Sequence, residues 1–103
     1  MPLYALTSQE QFNQLLLSQS KFLVWFSAAW CGPCQRMDKA ALAAAAEKAA
    51  LPFYYCDHTV NPATVDANAI TSFPTFVVFE NGQRLSIRQS AETFKVCQYI
   101  AKI

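Results

Sequence analysis

The chain has 103 residues, which is enough for one domain spanning residues 1–103 and leaves no room for a second. Hydrophobic residues make up 53% and charged residues 15%, a balance that supports a packed core and excludes a disordered chain. The net charge is +1, and the sequence has no basic stripe of the kind that binds nucleic acid. The longest strongly apolar run, residues 22–26, is too short to cross a membrane, and no basic leader opens the chain. We therefore expect a soluble cytoplasmic protein.

The first third of the sequence predicts a strand, a helix and a second strand. Leu3 to Ala5 favours a short strand. Thr7 and Glu10 have the spacing of a capping box, which predicts a helix from Ser8 to Ser18. Residues 22–27 are apolar and rich in aromatic side chains, as is typical of a strand buried on both faces at the centre of a sheet.

The middle third predicts a long helix, a strand and a short helix. The long helix should begin near Cys34. Eight of the eleven residues from Ala40 to Ala50 are alanine, the best helix former, so the helix should continue through them. Pro52 ends it and opens a strand to Cys56. Asn61 followed by Pro62 indicates a cap and first turn, so a short helix should extend to about Asn68.

The last third predicts a β-hairpin and a final helix. A buried strand covers Thr75 to Glu80, and Asn81-Gly82 is a strong signal for a two-residue hairpin. Leu85 and Ile87 alternate with polar residues, as on an edge strand. The final helix is expected to have Ser90 as its cap and an apolar side made of Phe94, Cys97, Ile100 and Ala101.

This order of elements predicts an α/β fold. Strands that alternate with helices favour right-handed crossovers and a mixed, mostly parallel sheet of five strands. About four helices should cover both faces of that sheet.

Two of the four cysteines form a Cys-x-x-Cys pair, Cys31 and Cys34, directly after the central strand and at the start of the long helix. The whole segment reads Trp30-Cys31-Gly32-Pro33-Cys34, and Pro74-Thr75 stands before a buried strand forty residues later. In this context the chain resembles the thioredoxin family along essentially its whole length. The resemblance implies a thiol-disulfide oxidoreductase, an electron carrier that reduces protein disulfides.

The chemistry of this segment follows from its place at a helix start. Unpaired backbone amides there stabilise a thiolate, the nucleophile of disulfide exchange. Cys31 would attack a substrate disulfide, and Cys34 would then attack Cys31, leaving a redox-active Cys31–Cys34 disulfide. Gly32 lets a substrate chain approach, and Pro33 holds the turn.

The resemblance adds further residues to the site. It implies that Pro74 is a cis-proline and that the backbone of Phe73 binds an extended substrate strand beside Cys31. Trp30 would flank the reactive sulfur, although packing at a strand end explains this residue equally well.

The sequence departs from the family at several positions. Thioredoxins usually have a buried aspartate and lysine where this chain has Trp25 and Tyr55, so we hypothesise that Cys34 resolves mixed disulfides slowly near neutral pH. Lys39 replaces a proline that kinks the long helix, so a straighter helix is expected. Ser72 and Ser90 replace glycines of the substrate groove, which could narrow the choice of substrates.

Other interpretations remain open. An oxidase or isomerase is one, and a binding or scaffold subunit with a secondary dithiol is another. A metal site at Cys56, Asp57 and His58 does not fit the usual zinc spacing, so no metal is expected and this segment is read as a buried thiol and a solvated turn. Cys97 is read as core filling.

The implied partners follow from the chemistry. We expect protein disulfides as substrates and an upstream thioredoxin reductase or its equivalent. No bound cofactor and no nucleic acid or membrane partner is expected, and the protein should be a monomer.

Overall fold

The computed structural model describes residues 3–103, which form five strands and five helices. The strands are β1 (Leu3–Ala5), β2 (Lys21–Ser27), β3 (Phe53–Asp57), β4 (Thr75–Glu80) and β5 (Gln83–Gln89). The helices are α1 (Gln9–Ser18), α2 (Gly32–Gln35), α3 (Lys39–Lys48), α4 (Pro62–Ala67) and α5 (Thr93–Ala101). No helix within residues 3–103 is long and apolar enough to span a bilayer.

The strands form one mixed sheet in the order β1-β3-β2-β4-β5, which confirms the predicted fold class. The central position predicted for β2 is confirmed, since it pairs with β3 on one side and β4 on the other. Strand β3 is parallel to β1 and β2, whereas β4 is antiparallel to β2 and β5. The connection through α4 brings the chain back to the end of the sheet where β2 finishes, so β4 starts there and runs the other way.

Helices cover both faces of the sheet, as predicted. Side chains alternate along β2, so Phe22, Val24 and Phe26 join a core beneath α1 and α4, whereas Leu23 and Trp25 join one beneath α3 and α5. All five of these side chains are fully buried. The continuous apolar run that predicted a strand covered on both faces is thereby explained.

The predicted long helix is divided into α2 and α3. The break lies at residues 36–38, where Asp38 has extended backbone angles and its carboxylate accepts a hydrogen bond from the Ala41 N–H at 3.0 Å. The Asp38 N–H donates to Thr93 Oγ1 at 3.1 Å instead of continuing a helix. The expectation of a straighter helix at Lys39 was wrong, because Asp38 caps a new helix just before it.

Two helix starts also differ from their predictions. The cap of α1 is Ser8, whose Oγ accepts from the Gln11 N–H at 3.1 Å, and Thr7 precedes it. The last helix begins at Thr93, because Ser90 Oγ bonds the Glu92 N–H in the preceding turn.

The apolar side of the last helix also needs correction. Val96 and Ile100 are its buried residues, Cys97 is half-buried, and Phe94 and Ala101 are exposed. Because the helix starts at Thr93, Phe94 lies in its first turn, where its side chain is 73% exposed.

Helix α3 ends in a left-handed turn made by an alanine. Ala50 has φ 56°, and its N–H bonds the Glu47 carbonyl while the Leu51 N–H bonds the Ala46 carbonyl. This is the hydrogen-bond pattern of a Schellman motif, in which glycine usually takes the left-handed position. An alanine therefore bears backbone strain there.

Candidate active site

Cys31 and Cys34 form a disulfide at the carboxyl end of the central strand β2. Cys31 is the N-cap of α2 and Cys34 lies within that helix. Both are largely covered, Cys31 with 6% and Cys34 with 1% of its surface exposed. Of the two cysteines, Cys31 is therefore the one that a partner reaches first.

Backbone groups surround the Cys31 sulfur. The Cys34 N–H donates a hydrogen bond to Cys31 Sγ at 3.2 Å, and the carbonyl oxygen of Phe73 lies 3.8 Å from the same sulfur. Ala28 supports the turn, because its carbonyl accepts from the Cys31 N–H at 3.0 Å and from Gln35 Nε2 at 3.0 Å. Helix α2 is only four residues long, so the local amide of Cys34 contributes more than a long helix dipole.

The two residues between the cysteines are exposed. A Cβ built on Gly32 would lie 3.2 Å from Nη1 of Arg36, so the arginine side chain lies over this glycine. Pro33 is in the first turn of α2, where its missing N–H costs no intrahelical hydrogen bond. An approaching chain would therefore meet Gly32 and Pro33 together with the Arg36 side chain.

Phe73 and Pro74 lie opposite the dithiol, in the turn before β4. The peptide bond between them is cis. Thr75 Oγ1 donates to the Ser72 carbonyl at 2.7 Å and closes this turn. The turn therefore places the Phe73 carbonyl beside Cys31, while the Ser72 side chain stays exposed.

Three aromatic rings contact one another beside Cys31, and we call Trp30, His58 and Phe73 the aromatic triad. Ring centroids are 5.6 Å apart for Trp30 and Phe73, 5.8 Å for His58 and Phe73, and 6.5 Å for Trp30 and His58. Trp30 is 65% exposed, and the other two are half-buried. The prediction that His58 lies in a solvated turn was wrong, because its ring is half-buried against Trp30 and Phe73. Nothing in the local pattern shows that β3 ends at the same end of the sheet as Trp30.

Asp57 connects the segments at this end of the sheet by hydrogen bonds. Its Oδ1 accepts from the Ala29 N–H at 3.1 Å, the Thr59 N–H at 2.9 Å and Thr59 Oγ1 at 2.7 Å. Burial pushes the pKa of the Asp57 carboxyl upward, but the hydrogen bonds from Thr59 and Ala29 and the charge of His58 outweigh it, so the pKa is lowered. The carboxylate therefore joins the loop after β3 to the segment that leads to Cys31.

Uncharged groups occupy the two positions at which the resemblance implied a buried charge pair. Trp25 is fully buried, stacks on Phe76 and contacts the Tyr55 ring edge-to-face at 5.0 Å, and its buried Nε1 has no hydrogen-bond partner among the described residues. Tyr55 does more than pack: its hydroxyl donates to Ser27 Oγ at 3.0 Å, and the ammonium of Lys39 lies 5.4 Å from its ring centroid. An indole and a phenol thus occupy these two buried positions, and neither carries a charge.

The other two cysteines lie away from the dithiol. Cys56 is fully buried, and burial, with a smaller contribution from the Asp57 charge, raises the pKa of its thiol to about 12. Cys97 is half-buried between α5 and α3, with its Sγ 3.7 Å from the Ala41 carbonyl oxygen. Burial raises the pKa of its thiol, and the charge of Asp38 raises it further. Within residues 3–103 no group of three or more His, Cys, Asp or Glu side chains could hold a metal ion.

Comparison with known proteins gives a consistent result. A sequence model of the thioredoxin family matches residues 4–102. A thioredoxin of Geodia cydonium is 36% identical over 83 residues, covering 79% of this chain and 78% of the relative. A thioredoxin of Mycoplasma pneumoniae is 36% identical over 76 residues and covers 74% of each chain. A solved thioredoxin of Plasmodium falciparum superposes with a TM-score of 0.88 at 28% identity, covering 97% of this chain and 98% of that one.

Proposed function

Since this chain belongs to the thioredoxin family and is a thiol-disulfide oxidoreductase that reduces protein disulfides, we propose that Cys31 is its nucleophile and Cys34 its resolving cysteine. The observation that carries this assignment is the hydrogen bond from the Cys34 N–H to Cys31 Sγ, 3.2 Å long. A donor directed at a sulfur favours its charged form, and the thiolate is the form that attacks disulfides. The greater exposure of Cys31 supports the same order.

The reaction starts from the reduced dithiol. The Cys31 thiolate attacks one sulfur of the substrate disulfide, a bond forms between them, and the other substrate sulfur leaves as a thiolate. Cys34 then loses its proton and attacks Cys31 Sγ. This step forms the Cys31–Cys34 disulfide and releases the second substrate sulfur, so two electrons have passed from the protein to the substrate.

The proton of Cys34 needs an acceptor in the second step. We infer that this step is slow near neutral pH, because Trp25 and Tyr55 stand where the family has an ionisable pair. The Tyr55 hydroxyl is already a donor to Ser27. Solvent is then left as the acceptor, although Cys34 is 1% exposed.

Substrate binding falls to the residues around Cys31. The Phe73 backbone next to the cis bond would pair with an extended segment of the substrate, a mode of recognition that tolerates many sequences. Trp30 supplies exposed apolar surface, and the exposed Gly32 adds no side chain of its own beside Arg36. Pro33 and Pro74 shape the two turns.

The electrons come from a partner. Thioredoxins act on protein disulfides and are reduced by thioredoxin reductase, and we propose a reductase of that kind, or its equivalent, as the upstream partner here. We further propose that the protein works as a cytoplasmic monomer and needs no bound cofactor, since dithiol exchange is complete with two cysteines.

Reduction of insulin by catalytic amounts of this protein with excess dithiol at pH 7 tests the assignment. Wild type and Cys97→Ser should both be active, because Cys97 lies away from the dithiol. Cys31→Ser should be inactive, and Cys34→Ser should accumulate a mixed disulfide with the substrate. An active Cys31→Ser variant would contradict the assignment, and a folded wild type without turnover would favour a binding role.

The inferred slow step needs its own measurement. Decay of the mixed disulfide at pH 7 should be faster in Trp25→Asp Tyr55→Lys than in wild type, provided that circular dichroism shows both to be folded. Equal decay rates would refute the inference. If the double variant does not fold, the wild-type decay rate between pH 7 and pH 9 decides, because a rate that does not rise with pH excludes a limit set by proton loss.

A further inference from the structure

His58 is the only histidine in the sequence, and the proposed reaction gives it no role. His58 follows β3, and Trp30 follows β2. Since these strands are parallel neighbours, both residues lie at the carboxyl ends of the strands, the end of the sheet that holds Cys31. This placement puts an imidazole next to the surface that a substrate must cover.

The contacts of His58 are with substrate-facing residues. Its ring meets Phe73 at 62° and Trp30 at 75°, and Trp30 meets Phe73 at 88°. Each pair is edge-to-face, so the aromatic triad forms one continuous wall. The Phe73 carbonyl lies 3.8 Å from Cys31 Sγ, so a substrate joined to Cys31 would run along this wall.

The backbone beneath His58 is fixed. The His58 N–H donates to the Ser27 carbonyl at 2.9 Å, extending the pairing of β3 with β2. The residue before His58, Asp57, accepts hydrogen bonds at its Oδ1 from the N–H groups of Ala29 and Thr59. With its backbone fixed and its ring packed against Trp30 and Phe73, His58 presents the same group to every substrate.

The charged groups around His58 are few. From its own strand end, Asp57 interacts with it electrostatically. Trp30 and Phe73, from the other two segments in contact, are uncharged. The guanidinium of Arg36 lies beside Gly32, between the two cysteines of the dithiol. Of the three rings in this wall, the His58 imidazole is therefore the one that can bind a proton and carry a positive charge.

We propose that His58 is a specificity-determining residue of this site, and that it favours substrates with a carboxylate beside the reacting disulfide when the imidazole is protonated. The proposal rests on the proposed function, because it concerns substrates that react with Cys31. An exposed pair of opposite charges contributes little, which corresponds to a preference of about two- to fivefold.

Two matched peptides test the proposal. Each contains one disulfide, and they differ only in Glu or Gln next to one cysteine. Reduced protein is mixed with each peptide at several pH values between 6 and 8, and the second-order rate constants are compared as a Glu/Gln ratio. Titration of Cys31 affects both peptides equally, so it cancels in the ratio.

Variants separate the charge from the shape. The wild-type ratio should rise about two- to fivefold from pH 8 to pH 6. In His58→Gln the Glu/Gln ratio should not change with pH and should stay near the wild-type value at pH 8. In His58→Lys it should also not change with pH, but should stay near the wild-type value at pH 6. Val60→Ala lies on the same loop but outside the triad, and should behave as wild type.

The outcomes are distinct. A ratio that changes equally with pH in wild type and His58→Gln overturns the role of His58, and so does a wild-type ratio that does not change. If wild type reduces neither peptide, the proposed function fails and this proposal fails with it. A rate that falls equally for both peptides in His58→Gln shows a structural role only, and also overturns the proposal.

Discussion

Replacing Asp57 by asparagine tests how firmly the loop after β3 holds the aromatic triad. One oxygen of Asp57 accepts three hydrogen bonds, from the Ala29 N–H and from the N–H and Oγ1 of Thr59. Asparagine has the same size and keeps an acceptor oxygen, but it carries no charge. The substitution therefore changes the strength of the bonds with little change in shape.

The expected loss of stability follows from those contacts. Hydrogen bonds to charged groups contribute about 1.5–3 kcal/mol and neutral ones about 0.5–1.5 kcal/mol, so each bond could lose about 1 kcal/mol. The three bonds share one oxygen on a partly exposed side chain, which reduces the sum. We expect the free energy of unfolding to fall by about 1–2 kcal/mol, equivalent to roughly 5–10 °C in Tm for a domain of this size.

The effect should depend on pH in one direction. The pKa of the Asp57 carboxyl is lowered in the folded protein, so its stabilising contribution is present above the unfolded-state pKa of about 3.9 and is lost as pH falls through the folded-state value. The asparagine side chain of the variant does not titrate. The deficit of Asp57→Asn should therefore be full at pH 7 and smaller at pH 3.

Urea unfolding at both pH values measures this deficit. Asp66→Asn is the matched control, because it makes the same chemical change at an exposed residue of α4. Equal stability of the two variants at pH 7 would refute the anchoring role of Asp57. A deficit of the same size at pH 3 would show that shape, and not charge, accounts for it.

Three further predictions follow from single contacts. Ala50→Gly should raise the free energy of unfolding by up to about 1 kcal/mol, because glycine adopts the left-handed angle of φ 56° without steric strain; a lower Tm would contradict this. Tyr55→Phe should lower it by about 1 kcal/mol by removing the donor to the buried Ser27, and an unchanged urea midpoint would contradict that bond. In oxidised protein at pH 8, iodoacetamide should modify Cys97 before Cys56, whose pKa is raised to about 12 by burial; mass spectrometry showing early modification of Cys56 would contradict its burial.

Strands whose position is determined by their local sequence were predictable. Thr75–Glu80 is confirmed at both ends, because the run Phe76-Val77-Val78-Phe79 has one structural solution between a proline and an Asn-Gly turn. The turn itself is also confirmed, with Asn81 and Gly82 at positive φ values of 52° and 79°.

Features that depend on distant residues were not predictable. At the break before α3, the Asp38 side chain caps the new helix, and the Asp38 N–H donates to Thr93, which is 55 residues away along the chain. An alanine-rich sequence by itself favours one uninterrupted helix. Local propensity therefore predicted the right element type and the wrong boundary.

The candidate site was predictable only in part for the same reason. Cys31 and Cys34 are close together along the chain, so their pairing and their place after a strand follow from local sequence. The aromatic triad joins residues from three separate segments, and only the parallel pairing of β2 with β3 brings Trp30 and His58 together.

The hairpin between β4 and β5 offers a point of attachment. Because β4 pairs Glu80 with Lys21 and Thr75 with Phe26, the Asn81-Gly82 turn lies at the end of the sheet opposite Cys31. At about 3.3 Å per residue, β2 separates the two ends by about 20 Å. A tether to a solid support at this turn would leave the dithiol facing solution, where large proteins could still reach it.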